Sequence, residues 1–286
     1  MGAREAVARK VRRAALPLNQ SVGKALRVLH AFGGERRALN LLEIAAAAGI
    51  TKSSAQRFTT TLQQLGYLQR DVHTKRWILS PRVLTIGHGY LSGHALIDGA
   101  TSHLLALNVA TGESVSLSEP DDTQMVYVAR FPGHRPFYIH MPIGRSLPMF
   151  CTAAGRAYLS RLPMEEVSEI LDHSALRALT PTTVISKARI LELVREARAL
   201  GYARANQECY RGDLTIGAAV MGQHGRPVAA INISGPTSRW TLEDLANRWA
   251  PLLMETARAA SSGMADRIDL RQVGAARLRG TSRPRG

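Results

Sequence analysis

The sequence predicts an α+β chain of two domains with a winged helix-turn-helix at its N-terminal end, and three observations predict it. Two helical patterns separated by Gly49 run from residue 40 to 65, and a short strand pair with a basic tip follows them. Beyond residue 114, alternating and helical periodicities interleave. The 286 residues exceed one average domain, and a hydrophobic content of 45% suffices for two cores.

Asn40 is placed to cap the first of the paired helices, with Glu43 three residues on to close a capping box. Leu41, Ile44, Ala45 and Ala48 then share one side, where small alanines let a second helix approach closely. Gly49 supplies the left-handed residue that ends this helix. Thr51 caps the next helix, whose Ala55, Phe58, Leu62 and Leu65 recur at spacings of three and four and are expected to face inward. The outward set contains Lys52, Ser53, Ser54, Gln56, Arg57 and Thr60, with Gln63 and Gln64 behind them and no carboxylate among them. Such side chains suit a major groove: Lys and Arg answer guanine edges or phosphates, Gln pairs with adenine, and Ser or Thr meets phosphate oxygens.

After Gly66, Tyr67 and Leu68 lead into the polar tip Arg70 to Arg76, and Trp77, Ile78 and Leu79 return. This is a hairpin whose Lys75 and Arg76 are expected to lie along phosphates. The charge distribution agrees with it. Of a net charge of +15, residues 1–90 hold fifteen Lys and Arg against four Asp and Glu, whereas residues 91–260 hold sixteen of each sign. The field that would attract a polyanion therefore sits on the segment already shaped for a groove.

A boundary is expected after Leu79-Ser80-Pro81, giving a DNA-binding domain over 20–81. Residues 82–97 then read as a linker helix with Gly87, Gly89 and Gly93 as weak points or a joint, followed by a second domain over 98–262. In that domain Leu96 to Ala110, Cys151 to Leu162, Ser186 to Leu200 and Thr241 to Ala260 read as helices. Ser114 to Ser118, Met125 to Arg130 and Phe137 to Met141 read as strands, and Ile216 to Met221 with Pro227 to Ser234 as a hairpin pair. The first 19 residues and the stretch 263–286 are basic and read as disordered arms. No run approaches the roughly 18 apolar residues that would span a bilayer. Two cysteines without CxxC spacing, Cys151 and Cys209, point to buried neutral thiols in a reducing cytoplasm.

Nothing in the sequence anchors catalysis. GxSxG, HExxH, GxGxxG and GxxxxGK[ST] are all missing, the nine histidines form no metal-site spacing, and Asp121-Asp122 and Glu165-Glu166 sit where turns or helix starts put acids. The expectation is a non-enzyme with no metal and no cofactor.

Several separated motifs resemble one family. Ser21-Val22-Gly23-Lys24-Ala25-Leu26, Leu42-Glu43-Ile44-Ala45, Gly49-Ile50-Thr51-Lys52-Ser53-Ser54 and Leu65-Gly66-Tyr67-Leu68 look like the isocitrate-lyase-regulator (IclR) family of bacterial transcription factors. So do Pro142 to Met149, Cys151 to Ala157, Gly201-Tyr202-Ala203, Glu208 with Gly212, and Ile231 to Pro236, so that the resemblance covers about residues 20 to 262. It implies an N-terminal winged helix, a linker helix, a C-terminal effector-sensing domain related to GAF folds, and assembly as a homodimer or homotetramer. It also implies an effector pocket with Leu147, Met149 and Gly155 as wall positions and Asn206, Thr215, Asn232 and Ser234 as polar liners.

Beside those positions, His134, Arg135, Tyr138, His140 and Arg145 cluster in sequence within a domain that is otherwise charge-balanced. We therefore expect an aromatic or small aliphatic carboxylate effector with Arg135 or Arg145 as counter-ion. The whole reads as a regulator that binds double-stranded operator DNA under effector control, without a membrane. Its rivals are a nonspecific DNA-coating protein and an enzyme fused to a DNA-binding head.

Overall fold

A computed structural model describes residues 19–33, 38–134, 139 and 141–265. The predicted terminal arms lie outside these residues, apart from Asn19 and residues 263–265, which are not an arm but the end of the C-terminal helix. Arg135, Tyr138, His140 and most of the strand expected over Phe137 to Met141 lie outside them too. The chain divides into two compact units, residues 1–90 and 91–286.

The first unit begins with α1 (Gln20–His30), capped by the Asn19 side chain. In α2 (Leu41–Ala48) the capping box forms as the residues predict, with Asn40 N–H donating to Glu43 Oε2 at 2.8 Å and Asn40 Oδ1 accepting from the Leu42 and Glu43 amides. Gly49 then adopts φ 61°, ψ 44°, a left-handed conformation open to glycine at little cost. Arg27 donates to the Ala48 carbonyl at 2.9 Å, satisfying one of the acceptors at that helix end.

Thr51 caps α3 (Lys52–Gln64), and β1 (Leu68–Arg70) pairs antiparallel with β2 (Trp77–Leu79). Val28, Phe32, Leu39, Ile44, Ala48, Ala55, Leu62, Leu68 and Trp77 form the core of this unit. One inward assignment fails: Leu65 is 53% exposed, because α3 ends at Gln64 and the chain is already turning there, while Thr59 takes a fully buried place. Its hydroxyl is satisfied by the Gln56 carbonyl at 3.1 Å.

The predicted single helix over 82–97 is two helices. α4 (Val83–Leu91) stops before Gly93, whose φ is 69°, and α5 (Ala95–Thr111) starts afresh after His94. Of the three glycines in that stretch, Gly93 is the break, whereas Gly87 and Gly89 stay inside α4.

The second unit continues with β3 (Ser114–Asp121), β4 (Gln124–Phe131), β5 (Ser146–Pro148), α6 (Ala153–Leu159), α7 (Met164–His173), α8 (Lys187–Leu200), β6 (Ala203–Asn206), β7 (Asp213–Met221), β8 (Pro227–Pro236) and α9 (Leu242–Ala265). Neither α7 nor β6 is anticipated by the sequence reading. Glu165 and Glu166 open α7, where acids complement the helix dipole, and Glu166 meets Arg226 at 2.6 Å.

The six strands form one antiparallel sheet in the order β5-β4-β3-β8-β7-β6. Because side chains alternate between faces, Val115, Leu117, Ile216, Ala218, Ile231 and Ile233 pack with α5 and α9 residues such as Leu104, Leu107, Leu245 and Leu253. The opposite face carries Ser114, Ser116, Asn232, Ser234, Thr215 and Gly217. α6 lies against it: a Cβ on Gly217 would stand 2.6 Å from the Ala153 backbone.

Candidate functional site

In the first unit, the N-terminal half of α3 and the hairpin border a shared open groove lined by Asn40, Leu42, Lys52, Gln56, Arg70, Thr74, Lys75 and Arg76. Lys52, Ser53, Gln56, Arg57 and Thr60 are exposed. Ser54 is half-buried; its hydroxyl accepts from Thr51 Oγ1 at 3.0 Å and its amide donates to the same oxygen at 3.2 Å, which makes it part of the cap. Gln56 Nε2 donates to Thr60 Oγ1 at 3.2 Å, which aligns two polar side chains one turn apart.

At the tip, Asp71 accepts from the Thr74 amide at 2.6 Å, the Thr74 hydroxyl at 2.8 Å and the His73 amide at 3.0 Å. The two bonds from Thr74 lead in holding its carboxyl below the ordinary aspartate value. This turn sets Lys75 at φ 56° with its side chain exposed. Arg76, expected on phosphates, is instead held back: it donates to Glu43 Oε2 at 2.9 Å and to the Ala38 carbonyl at 3.0 Å, tying the wing to the start of α2. Arg70, which the sequence reading did not select, donates to the Lys75 carbonyl at 3.1 Å and lies over the Trp77 ring at the groove's edge.

The second unit contains a small cavity between the serine face of the sheet, the start of α6 and the loop after β6. Its floor follows from the strand register. Arg130 of β4 pairs with Ser116 of β3, Ser116 with Asn232 of β8, and Asn232 with Gly217 of β7. In the next row Ser114 pairs with Ser234, Ser234 with Thr215, and Thr215 with Ala205. Paired residues share a face, so these polar side chains project together.

Arg130 donates to Ser116 Oγ at 3.3 Å and to Ser114 Oγ at 3.4 Å. Asp213 accepts from the Ser234 hydroxyl at 2.5 Å. Burial pushes the Asp213 carboxyl up to about 6, against the opposing pulls of the Ser234 hydrogen bond and the Arg130 charge. Burial likewise lowers the Arg130 guanidinium from its ordinary value and raises the Tyr127 phenol. Asn232 is 3% exposed, and its Oδ1 has no hydrogen-bond partner. Tyr127, Met141 and Leu147, with Ile139 and Tyr210 beside them, make an apolar wall.

Of the expected pocket residues, Leu147, Thr215, Asn232 and Ser234 do line the cavity. Four others do not. Asn206 is on the outward register of β6, whose pattern turns Ala203 and Ala205 inward and Arg204 and Asn206 out. Met149 is buried among Met125, Phe150, Leu159 and Val167 in the core beneath α7 and α8. A Cβ on Gly155 would stand 2.3 Å from Met149 Cα, so that glycine answers to backbone packing and not to a ligand. Arg145 is exposed and contributes its carbonyl to the Tyr127 amide at 2.9 Å. Among the described residues, the cation at the cavity is Arg130, read in the sequence only as the end of a strand. Its partner across the floor, Asp213, was also missed, since nothing local marks a first strand residue as facing a cavity.

Behind the cavity Arg156, 1% exposed, forms a two-pronged pair with Glu208 at 2.5 and 2.6 Å and donates to the Phe150 carbonyl at 2.8 Å. Glu208 also accepts from the Val184 amide at 3.1 Å. The Thr180 hydroxyl at 2.7 Å and the Thr182 hydroxyl at 2.9 Å hold the Gln207 carbonyl, so the loop after β6 is fixed by a satisfied buried network. Cys151 and Cys209 place their sulfurs 3.5 Å apart in the same wall. The hydrogen bond to Cys151 and then burial push the Cys209 thiol up.

Among the described residues, no group of His, Cys, Asp and Glu has the makings of a metal site, and no helix is long and apolar enough to cross a membrane. Residues 88–262 match the family described as the bacterial transcriptional regulator IclR C-terminal domain, and residues 21–72 match the IclR helix-turn-helix domain. The chain is 32% identical over 243 residues to the Pca operon regulatory protein of Acinetobacter baylyi, covering 83% of this chain and 86% of that protein. It is also 32% identical to the p-hydroxybenzoate hydroxylase transcriptional activator of the same organism, over 82% of this chain and 88% of the relative. The crystal structure of an IclR-family transcriptional regulator from Brucella abortus superposes with a TM-score of 0.75 at 26% identity, covering 86% of this chain and 92% of that one.

Proposed function

This chain belongs to the IclR family of bacterial transcriptional regulators, and from that premise we infer how its own residues divide the work. The first unit binds operator DNA. α3 enters the major groove with Lys52, Ser53, Gln56, Arg57 and Thr60, and Lys75 with the neighbouring Arg70 meets the phosphates beside it. Two half-sites need two heads, so the reading includes assembly as a homodimer or homotetramer, acting in the cytoplasm.

The second unit binds an organic carboxylate effector in the serine-floored cavity, with Arg130 as its counter-ion. The observation that carries this reading is Arg130 itself: a half-buried guanidinium at the cavity that donates to two serine hydroxyls at long distances. A guanidinium has five donors and matches a carboxylate in a two-pronged geometry.

The free space is about 20 Å³, of the order that one water fills. An effector therefore has to part the walls as it binds, and its affinity for the parted state is what biases the protein toward a different operator affinity. A thermal-shift screen of carboxylic acids on the full chain, followed by promoter binding with and without the hit, tests this. Arg130→Gln is expected to remove the acid-induced stabilisation while leaving promoter affinity intact. Arg57→Ala is expected to do the reverse, weakening promoter binding roughly tenfold to hundredfold.

A further inference from the structure

The cavity has a second pole that a plain acid leaves unanswered. Asp213 lies in the same i, i+2, i+4 row of β7 as Thr215 and Gly217, so its carboxylate rises from the floor that holds Arg130, yet the two do not form an ion pair. Each is bonded locally. The guanidinium reaches Ser114 and Ser116 on β3, and the carboxylate is met by Ser234 on β8. Those are adjacent strands, about 5 Å apart, so opposite charges face each other across a gap on the scale of one or two strand spacings. On the same face of β8, two residues from Ser234 and level with Ser116, Asn232 Oδ1 is buried and without a partner.

A simple carboxylate bound to Arg130 would bring a second negative charge toward Asp213, which is ionised at neutral pH since its pKa is about 6. It would also leave Asn232 Oδ1 unserved. A hydroxyl on the ligand has one proton and satisfies one of the two acceptors. An ammonium has three protons and a positive charge, and so answers both, with Thr215 Oγ1 or Ser234 Oγ within the same floor for the third. Glu208 does not alter this balance, because Arg156 already neutralises it.

We propose that the effector is a zwitterionic amino acid, its carboxylate on Arg130, its ammonium between Asp213 and Asn232, and its side chain against the apolar wall of Tyr127, Met141 and Leu147. The proposal rests on the reading of this cavity as the effector site. It adds a requirement for a cation at the far pole, which that reading does not contain.

The test is calorimetry on the full chain with the twenty standard amino acids, each compared with its α-hydroxy and α-unsubstituted counterpart. At least one amino acid is expected to bind about tenfold or more tighter than both of its counterparts, the worth of a charge-assisted hydrogen bond with a buried partner. Asp213→Asn is expected to erase that preference while retaining carboxylate binding, and Arg130→Gln to lose both. If Asp213→Asn does not fold, as judged by circular dichroism, Asn232→Ser is read in its place and is expected to narrow the preference. Binding of plain or hydroxy acids as tight as that of every amino acid overturns the proposal and leaves the carboxylate reading standing, as does a preference that survives Asp213→Asn. Failure of all acids and amino acids alike to bind brings down the carboxylate reading, and the proposal with it.

Discussion

Asp213 is the residue at which function and stability pull apart. Its folded carboxyl is raised from 3.8 to about 6 by burial, so the folded state holds the proton more tightly than the unfolded chain does. The stability this contributes is complete below the unfolded value and is lost as pH rises through the folded one, leaving a buried charge at neutrality. The shift of about two units corresponds to roughly 3 kcal/mol. Asp213→Asn is therefore expected to be more stable than the wild type at pH 7.5, with the difference vanishing near pH 4. Denaturant unfolding at the two pH values measures it, and equal gaps at both would contradict the assignment. Sequence alone held half of this site. Thr215, Asn232 and Ser234 came from a resemblance, but Arg130 and Asp213 are ordinary strand residues until the register places them on one face. Arg135 and Arg145 lie close in sequence to the loop that carries the resemblance, and for Arg145 that closeness does not become closeness to the cavity.

Among the elements, the wing and the α6 turn each separate contact from support. Lys75 is exposed at the tip, whereas Arg76 is engaged with Glu43 and the Ala38 carbonyl. Lys75→Ala is expected to reduce the slope of log affinity against log salt by about one, since one phosphate contact is lost. Arg76→Ala is expected to leave that slope nearly unchanged and to lower the unfolding temperature of the first unit. Salt titrations of promoter binding, paired with thermal melts, distinguish the two. Gly155→Ala forces a methyl group to within 2.3 Å of Met149 Cα, so it is expected to cost on the order of 1–3 kcal/mol by overpacking, read as a lowered unfolding temperature. Unchanged stability would mean that α6 shifts freely against its neighbouring turn. The capping box at Asn40 and Glu43, the left-handed Gly49 and the Thr51 cap were all legible in the sequence, because each is settled within four residues. Leu65 faces outward against its spacing because periodicity carries no information on where a helix stops, and the expected joint in the linker could not be assigned to Gly93 because three glycines look alike until one adopts a positive φ.

For the whole molecule, linkage gives the most demanding expectation. If an effector changes promoter affinity by some factor, the promoter must change effector affinity by the same factor. Calorimetry of the effector with and without saturating operator DNA, set against operator titrations with and without effector, checks this equality. An inequality would show that the two measurements do not report a single coupled equilibrium.

By itself the sequence determined that a basic head with an acid-free helix precedes a charge-balanced α+β domain. It also determined that catalysis has no anchor and which caps and turns bound the helices of the head. Caps, amphipathic faces and hairpin turns are local, so a few neighbouring residues decide them. The cavity is different. Its floor draws on β4, β3, β8 and β7, strands whose order in space is not their order in the chain, and one step of register separates Ala205 on its wall from Asn206 in solvent. Only the tertiary structure decided which charges meet there, because side chains in a sheet acquire neighbours from pairing across strands and not from proximity along them.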